Sequence, residues 1–453
     1  MFNNNSMGDA GNGFALIKAD FGEHGTGGDK KDFFPLSADN AWKDEGCQNS
    51  GRTSASTASG MGILCIIVKD QKPAVIVAGR DEDIKNVEQM FSALTLNIPT
   101  QSIIFSGLRG VGKTVLINKL QSIAEDLGIF CKHIEIEERN DFISQIAECS
   151  QAFLRKVSTK EKFKHLVQKP LEAIKSLVIS FNPEDSTFSF SLQDRELYVS
   201  KNLTQSLTEV FTTIGETAQK TETPICFFID EIQYMKQDQL GSLIAALHRT
   251  NQLGYPVMIV GAGLPKIYKM LSDEKSYSER LFFYKQIGSL TYDQSKKAIE
   301  EPVKKMSVSY TKEAIDKIVE ATGGYPFFLQ QLCQIVYERT NSDVIDGNDV
   351  DRCKTEFLKV LDDGFFKSRY ERCSESDKKF IFAMVKCGDL PCTISNVAQN
   401  MKKSVSSIST IRAQLINKGI IYPVRFKEVD FTVPEFDEYI KRLEEYKQWL
   451  ECS

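Results

Sequence analysis

The sequence predicts an α/β fold: a parallel sheet with helices on both faces, followed by a helical region and a small module of helices and strands. Three observations carry this reading. Short, largely apolar segments, Gln101 to Ser106, Ile225 to Ile229 and Val257 to Val260, alternate with segments of helical spacing, and strands apolar on both faces belong to sheets covered on both sides. Strand candidates stop after Leu290, where four helix-like segments follow. From Ser376 to Val433 the order becomes helix, helix, helix and two short strands.

Taken in order, residues 1–60 are rich in Gly, Asn, Ser, Asp and Lys without a sustained period, and read as disordered. Met61 opens the first patterned sequence, so a natural start at Met61 is one expectation. Val75 to Ala78 reads as a short strand, and Asp81 to Leu94 sets Ile84, Val87, Met90, Phe91 and Leu94 at helical spacing. Thr114 to Leu127 is a helix that stops at Gly128, Ile129 to Ile136 a strand, and Phe142 to Val157 a helix. Thr187 to Leu192 alternates and reads as an inserted strand or hairpin, while Leu203 to Ala218 and Gln237 to Asn251 are helical. The four later helices are Tyr292 to Lys305, Lys312 to Thr322, Phe327 to Thr340 and Asp346 to Lys359, interrupted by Gly323-Gly324-Tyr325-Pro326. Thr393 to Met401 and Ser404 to Lys418 have helix-turn-helix spacing, Ile420 to Phe426 and Asp430 to Val433 would form a wing, and Glu435 to Leu450 closes the chain as a helix. The expected divisions are a disordered segment 1–60, a core 74–290, a helical lid 291–360, and a winged helix with a final helix, 374–453.

A chain of 453 residues is long enough for two or three cores. Its 42% hydrophobic and 26% charged residues are those of an ordinary soluble protein, and no apolar run reaches the roughly 20 residues of a membrane span. The 11 cysteines include no Cys-x-x-Cys pair and there are only 4 histidines, so reduced thiols and a cytoplasmic location are expected, with neither a zinc site nor a membrane contact. A net charge of −5 argues against a generally basic nucleic-acid coat.

Gly107-Leu108-Arg109-Gly110-Val111-Gly112-Lys113-Thr114 follows an apolar strand and opens a helix. It satisfies G-x-x-x-x-G-K-[ST] in full, the pattern of a P-loop. Glycines let backbone N–H groups turn toward phosphate oxygens, the helix N-terminus adds positive potential, Lys113 reaches the terminal phosphates, and the Thr114 hydroxyl serves Mg²⁺. The expected fold is thus a P-loop nucleoside triphosphatase, with ATP and Mg²⁺ as ligands. The metal and the attacking water need further carboxylates. Asp230, at the end of Ile225 to Ile229, is expected on a strand neighbouring the P-loop as the metal-side carboxylate, and Glu231 as the group that polarises water.

With these motifs the chain resembles the AAA+ and STAND nucleoside triphosphatases, in particular bacterial and archaeal ATPases similar to origin-recognition initiators, over about Ala78 to Val433. Gly79-Arg80-Asp81-Glu82 resembles a segment that in this family packs near the adenine, which implies a base-side role for Arg80; a helix-start charge is the alternative. Gly324-Tyr325-Pro326 looks like the G-x-P module of STAND proteins and implies Pro326 beside the base, although Gly-x-Pro is also an ordinary helix breaker. Arg280 stands where the family tends to carry an arginine finger, the alternative being a surface salt bridge. Two departures stand against this pattern. Val257 to Val260 runs into Gly261-Ala262-Gly263 without the polar residue that senses the γ-phosphate, and the lid lacks a clear second-sensor arginine. The resemblance therefore implies a nucleotide-dependent switch with slow ATP hydrolysis, Lys113, Glu231 and Arg280 being its catalytic candidates.

Residues Ser376 to Val433 carry nine Lys/Arg against four Asp/Glu, a net +5 on an otherwise acidic chain. Lys402, Lys403, Ser404, Ser406, Ser407, Ser409, Thr410, Arg412 and Gln414 are residue types that meet phosphates or base edges. DNA contact through residues 402–427 is accordingly an alternative output, a nucleotide-holding scaffold without turnover is another, and a protein partner or homo-oligomer is open.

Overall fold

The computed structural model describes residues 77–98, 100–137, 142–181, 202–274 and 278–452. The segment 1–60 expected to be disordered, residues 75 and 76 of the strand expected at Val75 to Ala78, and the strand or hairpin expected at Thr187 to Leu192 lie outside the described residues.

Helix α1 (Asp81–Thr95) leads into β1 (Ser102–Ser106), α2 (Lys113–Asp126), β2 (Phe130–Glu135), α3 (Phe142–Ser158) and α4 (Gln168–Phe181). Then come α5 (Leu203–Lys220), β3 (Ile225–Asp230), α6 (Gln237–Gln252), β4 (Val257–Gly263), α7 (Ile267–Glu274), α8 (Ser278–Leu281) and β5 (Phe282–Gln286). The five strands are all parallel, in the order β2-β3-β4-β1-β5. This is the expected α/β sheet. Side chains alternate across it: Cys226 and Phe228 of β3 join a buried cluster with Val87, Phe91, Leu116 and Leu120 of α1 and α2. Ile225, Phe227 and Ile229 join a second cluster with α3, α4, α5 and α6.

Three sequence expectations change here. Helix α4 was not foreseen, because Pro170 and flanking lysines mask its periodic Ala173, Ile174, Leu177 and Val178, all buried. Strand β5 was missed too: among the described residues it lies at the sheet edge and pairs only with β1, and Phe283 is 45% exposed. Most consequentially, β3 does not neighbour β1, since β4 lies between them.

Past Leu290 come α9 (Tyr292–Val303), α10 (Lys312–Thr322), α11 (Pro326–Arg339) and α12 (Gly347–Val360). Thr291 and Asp346 start α9 and α12 with capping boxes. Strands do not cease altogether, because β6 (Ser309–Tyr310) pairs with β7 (Val344–Ile345). After α13 (Lys367–Tyr370) come α14 (Glu375–Val385), β8 (Cys392–Thr393), α15 (Ile394–Asn400), α16 (Val405–Asn417), β9 (Ile421–Pro423) and β10 (Glu428–Phe431). β10 pairs antiparallel with both β8 and β9, so the foreseen pair of strands has a third member. The closing helix is two, α17 (Phe436–Arg442) and α18 (Glu444–Cys452), broken where Leu443 turns extended. The cluster on the α1–α2 face runs on through Phe328, Phe357 and Phe380 to Tyr446, so the later segments share one core with that side of the sheet.

Candidate nucleotide site

The carboxyl ends of β1, β3 and β4 converge on one edge of the sheet. β1 ends at Ser106 and the loop from Gly107 bends into α2, whose first turn presents Lys113 and Thr114. Gly112 caps that helix at φ 88°, a left-handed conformation that side chains disfavour, and this bend turns the loop's N–H groups into the helix N-terminus. The Gly107 N–H donates to the Gly263 carbonyl at the tip of β4 (3.1 Å).

Lys113 is 6% exposed, and its ammonium donates to the carbonyls of Gly107 (3.1 Å) and Leu108 (2.9 Å). Burial pulls its pKa below the usual lysine range, against the opposing pull of Glu231 and Asp230. The Thr114 hydroxyl donates to Asp230 Oδ2 (2.6 Å), and the Glu231 N–H donates to Asp230 Oδ1 (2.8 Å). The contact between Thr114 and Asp230 spans the intervening β4, whose tip, Gly261-Ala262-Gly263, carries no large side chain. The P-loop and the acidic strand tip therefore meet without being on adjacent strands. A hydroxyl and a carboxylate held together are the hard oxygen donors that suit Mg²⁺, which keeps several waters and takes few protein ligands.

Asp230 is 2% exposed, and burial raises its pKa above the usual carboxylate value. Such a carboxyl adds to stability below its unfolded value of about 3.9, and that contribution is lost as pH rises through the raised folded value, so at neutral pH the ionised group opposes folding. Asp230→Asn should therefore raise the melting temperature of nucleotide-free protein at pH 7 by about 2–4 °C, the equivalent of roughly 1 kcal/mol. A lower melting temperature in a thermal scan would contradict this origin of the shift.

The base-side candidates come together. Arg80 donates to the carbonyls of Gly288 (2.6 Å) and Val111 (3.5 Å), and Pro326 sits in the first turn of α11. Arg80, Val111, Gly112, Leu329 and Pro326 line one cleft beside the P-loop. Arg280 is not brought to this site. It is exposed in α8, just before Phe282, which pairs with Ser102 at the opposite end of β1 from the P-loop.

Sequence reasoning missed several residues. Gln233, 3% exposed, donates its amide N–H to Glu231 Oε2 and accepts from the Leu264 N–H (2.8 Å). Tyr234 accepts from the Arg109 guanidinium through its hydroxyl. Arg369 lies within electrostatic reach of Arg109, and its pKa is pulled down to about 10 by burial first and Arg109 second. No local pattern marks any of the three, because Gln233 meets Leu264, and Tyr234 and Arg369 meet Arg109, from distant positions.

Comparison with known proteins decides the kind of domain. Residues 76–260 match the AAA ATPase domain family. The segment that builds the phosphate site thus matches the AAA ATPase domain family and has a P-loop fold, and ATP binding is what such a domain implies. Residues 363–440 match a domain family of unknown function (DUF8462). Comparison with curated proteins gave no match. Among solved structures, the chain is similar to the Walker-type ATPase PABY2304 of Pyrococcus abyssi, at 15% identity and TM-score 0.48, over 81% of this chain and 96% of that one. The Orc1 protein of Aeropyrum pernix, solved in complex with DNA, gives 14% identity and TM-score 0.40 over 83% and 95%. The RuvB Holliday junction branch migration motor of Thermotoga maritima gives 14% and 0.40 over 80% and 95%. Among the described residues no helix beside the ATPase domain or within it is long and apolar enough to cross a membrane.

Proposed function

We propose that the protein is an ATP-dependent switch that hydrolyses ATP slowly to ADP and phosphate. The adenine enters the cleft between Arg80, Val111 and Pro326; loop N–H groups and Lys113 take the phosphates; Thr114 and Asp230 would hold Mg²⁺, which when bound would supply positive charge against the phosphate oxygens. Glu231 orients water. An arginine-finger role for Arg280 requires a second copy of the chain.

One observation carries the switch reading. The outer side of the P-loop is docked on two later segments at once. The Arg109 N–H donates to the Thr432 carbonyl (3.4 Å), and a side chain begun at Gly419 would stand 2.9 Å from the Arg109 guanidinium. The Gly110 carbonyl accepts from the Phe327 N–H at the start of the lid helix α11 (3.2 Å). Arg109 and Arg369 bring like charges into this junction, and neither is in an ion pair among the described residues. A triphosphate that resets the loop must therefore disturb its contacts with the lid, read as 291–360, and with the C-terminal module, read as a winged helix within 374–453.

Hydrogen exchange with and without ATP and Mg²⁺ tests this. Amides around Gly110, Phe327 and 419–432 should change protection by about tenfold or more. Unchanged exchange at 419–432 in nucleotide-saturated protein would reject the switch.

A second reading, engagement of DNA, is favoured by the exposed Lys402, Lys403, Arg425 and Lys427, none of them in an ion pair among the described residues, and by Phe426, 88% exposed at the turn between β9 and β10. Duplex DNA added to the same exchange experiment separates the readings: protection confined to 402–427 and independent of ATP supports DNA engagement as the output.

A further inference from the structure

β4 ends in glycines and brings no polar side chain of its own to the phosphate edge. The space beside its tip is filled from another element. A side chain begun at Gly263 would stand 2.7 Å from Gln233 Oε1, so glycine there is what admits the Gln233 amide. Gln233 belongs to the single 3-10 turn Ile232–Tyr234 directly after the acidic strand. Glu231 itself holds a left-handed conformation, φ 51°, which turns the chain sharply enough for residue 233 to fold back on residue 231.

Both ends of the Gln233 amide are used. Its oxygen accepts from the Leu264 N–H (2.8 Å), and this fixes which way round the amide lies, since only the nitrogen then remains to donate to Glu231 Oε2. Leu264 directly follows Gly263, whose carbonyl receives the Gly107 N–H at the entrance of the P-loop (3.1 Å). A continuous backbone and side-chain path therefore runs from the phosphate loop through the β4 tip to the carboxylate of Glu231. The amide engages one carboxylate oxygen, and an ionised carboxylate has acceptor capacity left for water.

We infer that Gln233 is a positioning residue for ATP hydrolysis: it locks the Glu231 carboxylate in the orientation that activates water, and it references that orientation to the P-loop through Leu264 and Gly263. This deepens the proposed ATPase reading and rests on it. Gln233 touches neither nucleotide nor metal in this assignment. Its loss should leave nucleotide affinity intact and slow the turnover that Glu231 supports.

The test is steady-state ATP hydrolysis by wild type, Gln233→Met, Gln233→Glu, Glu231→Gln and the Gln233→Met/Glu231→Gln double variant. Met keeps length without hydrogen bonds; Glu keeps size and the acceptor for Leu264 but removes the donor to Glu231, and it serves if the Met variant does not fold. Either variant at position 233 should lower kcat by about tenfold or more while the KM for ATP with Mg²⁺ stays within about threefold. In the Glu231→Gln background the Met substitution should cost nothing further, because the group it positions is gone. An unchanged kcat in the position-233 variants overturns the proposal, and so does a further loss by the same factor in the double variant, which is what a merely structural residue produces. Glu231→Gln at the wild-type rate, or a wild type without turnover, instead removes the ATPase reading beneath it.

Discussion

Replacing Lys113 with alanine should weaken ATP binding by on the order of 10²- to 10³-fold, the loss of about 3–4 kcal/mol that follows truncation of one partner in a desolvated charge pair. The size of the effect comes from burial. The Lys113 ammonium is 6% exposed and is held at the mouth of the loop by two carbonyls of that same loop, Gly107 and Leu108. A cation already stripped of water meets incoming phosphate without a second desolvation cost, so its attraction is stronger than that of a solvated lysine. The far-UV circular dichroism of the variant should match wild type, since the two carbonyls stand at the site's mouth and α2 is packed through Val115, Leu116, Ile117 and Leu120. Wild-type affinity in a folded Lys113→Ala protein would show that the loop is a structural bend.

Glu231→Gln should separate binding from chemistry. The amide keeps the shape of the side chain and one oxygen acceptor but has no basicity, so ATP affinity should stay within a few-fold and turnover should fall by about 10²- to 10⁴-fold, the range of a lost general base. A rate of product release equal to wild type would move the water-activating role elsewhere. The neighbouring carboxyls limit the candidates: Asp230 is engaged by Thr114 and by the Glu231 N–H, while Glu135, paired in register with Asp230 at the end of β2, is raised in pKa by partial burial and by Asp230.

The parts of the fold that could be read from residues were those in which one face or both faces are buried by neighbours close in sequence. β3 and β4 are apolar because helices cover both sides, and α10 and α12 were legible from apolar residues at helical spacing, while their caps at Thr311 and Asp346 are seen in the structure. Sheet order was not legible, because whether β4 or β3 lies next to β1 is settled by long crossovers and not by any local pattern. That is why Asp230 was expected on a neighbouring strand, although it reaches Thr114 across the β4 tip. The P-loop and the Asp230-Glu231 pair were readable because phosphate and metal chemistry demands particular residue types at fixed spacing. Gln233 and Arg369 were not, since an amide or a guanidinium becomes informative only when partners such as Leu264 and Arg109 arrive from distant positions.

The switch and the hydrolysis both require a triphosphate to seat in the loop between β1 and α2 with its metal on Thr114 and Asp230. Calorimetric titration of the wild-type chain with a non-hydrolysable ATP analogue, run with Mg²⁺ and again with a chelator, tests that directly. Saturable binding of one nucleotide per chain, stronger when Mg²⁺ is supplied, is the expected result. Absence of heat and of saturation under both conditions, in protein shown to be folded, would contradict it.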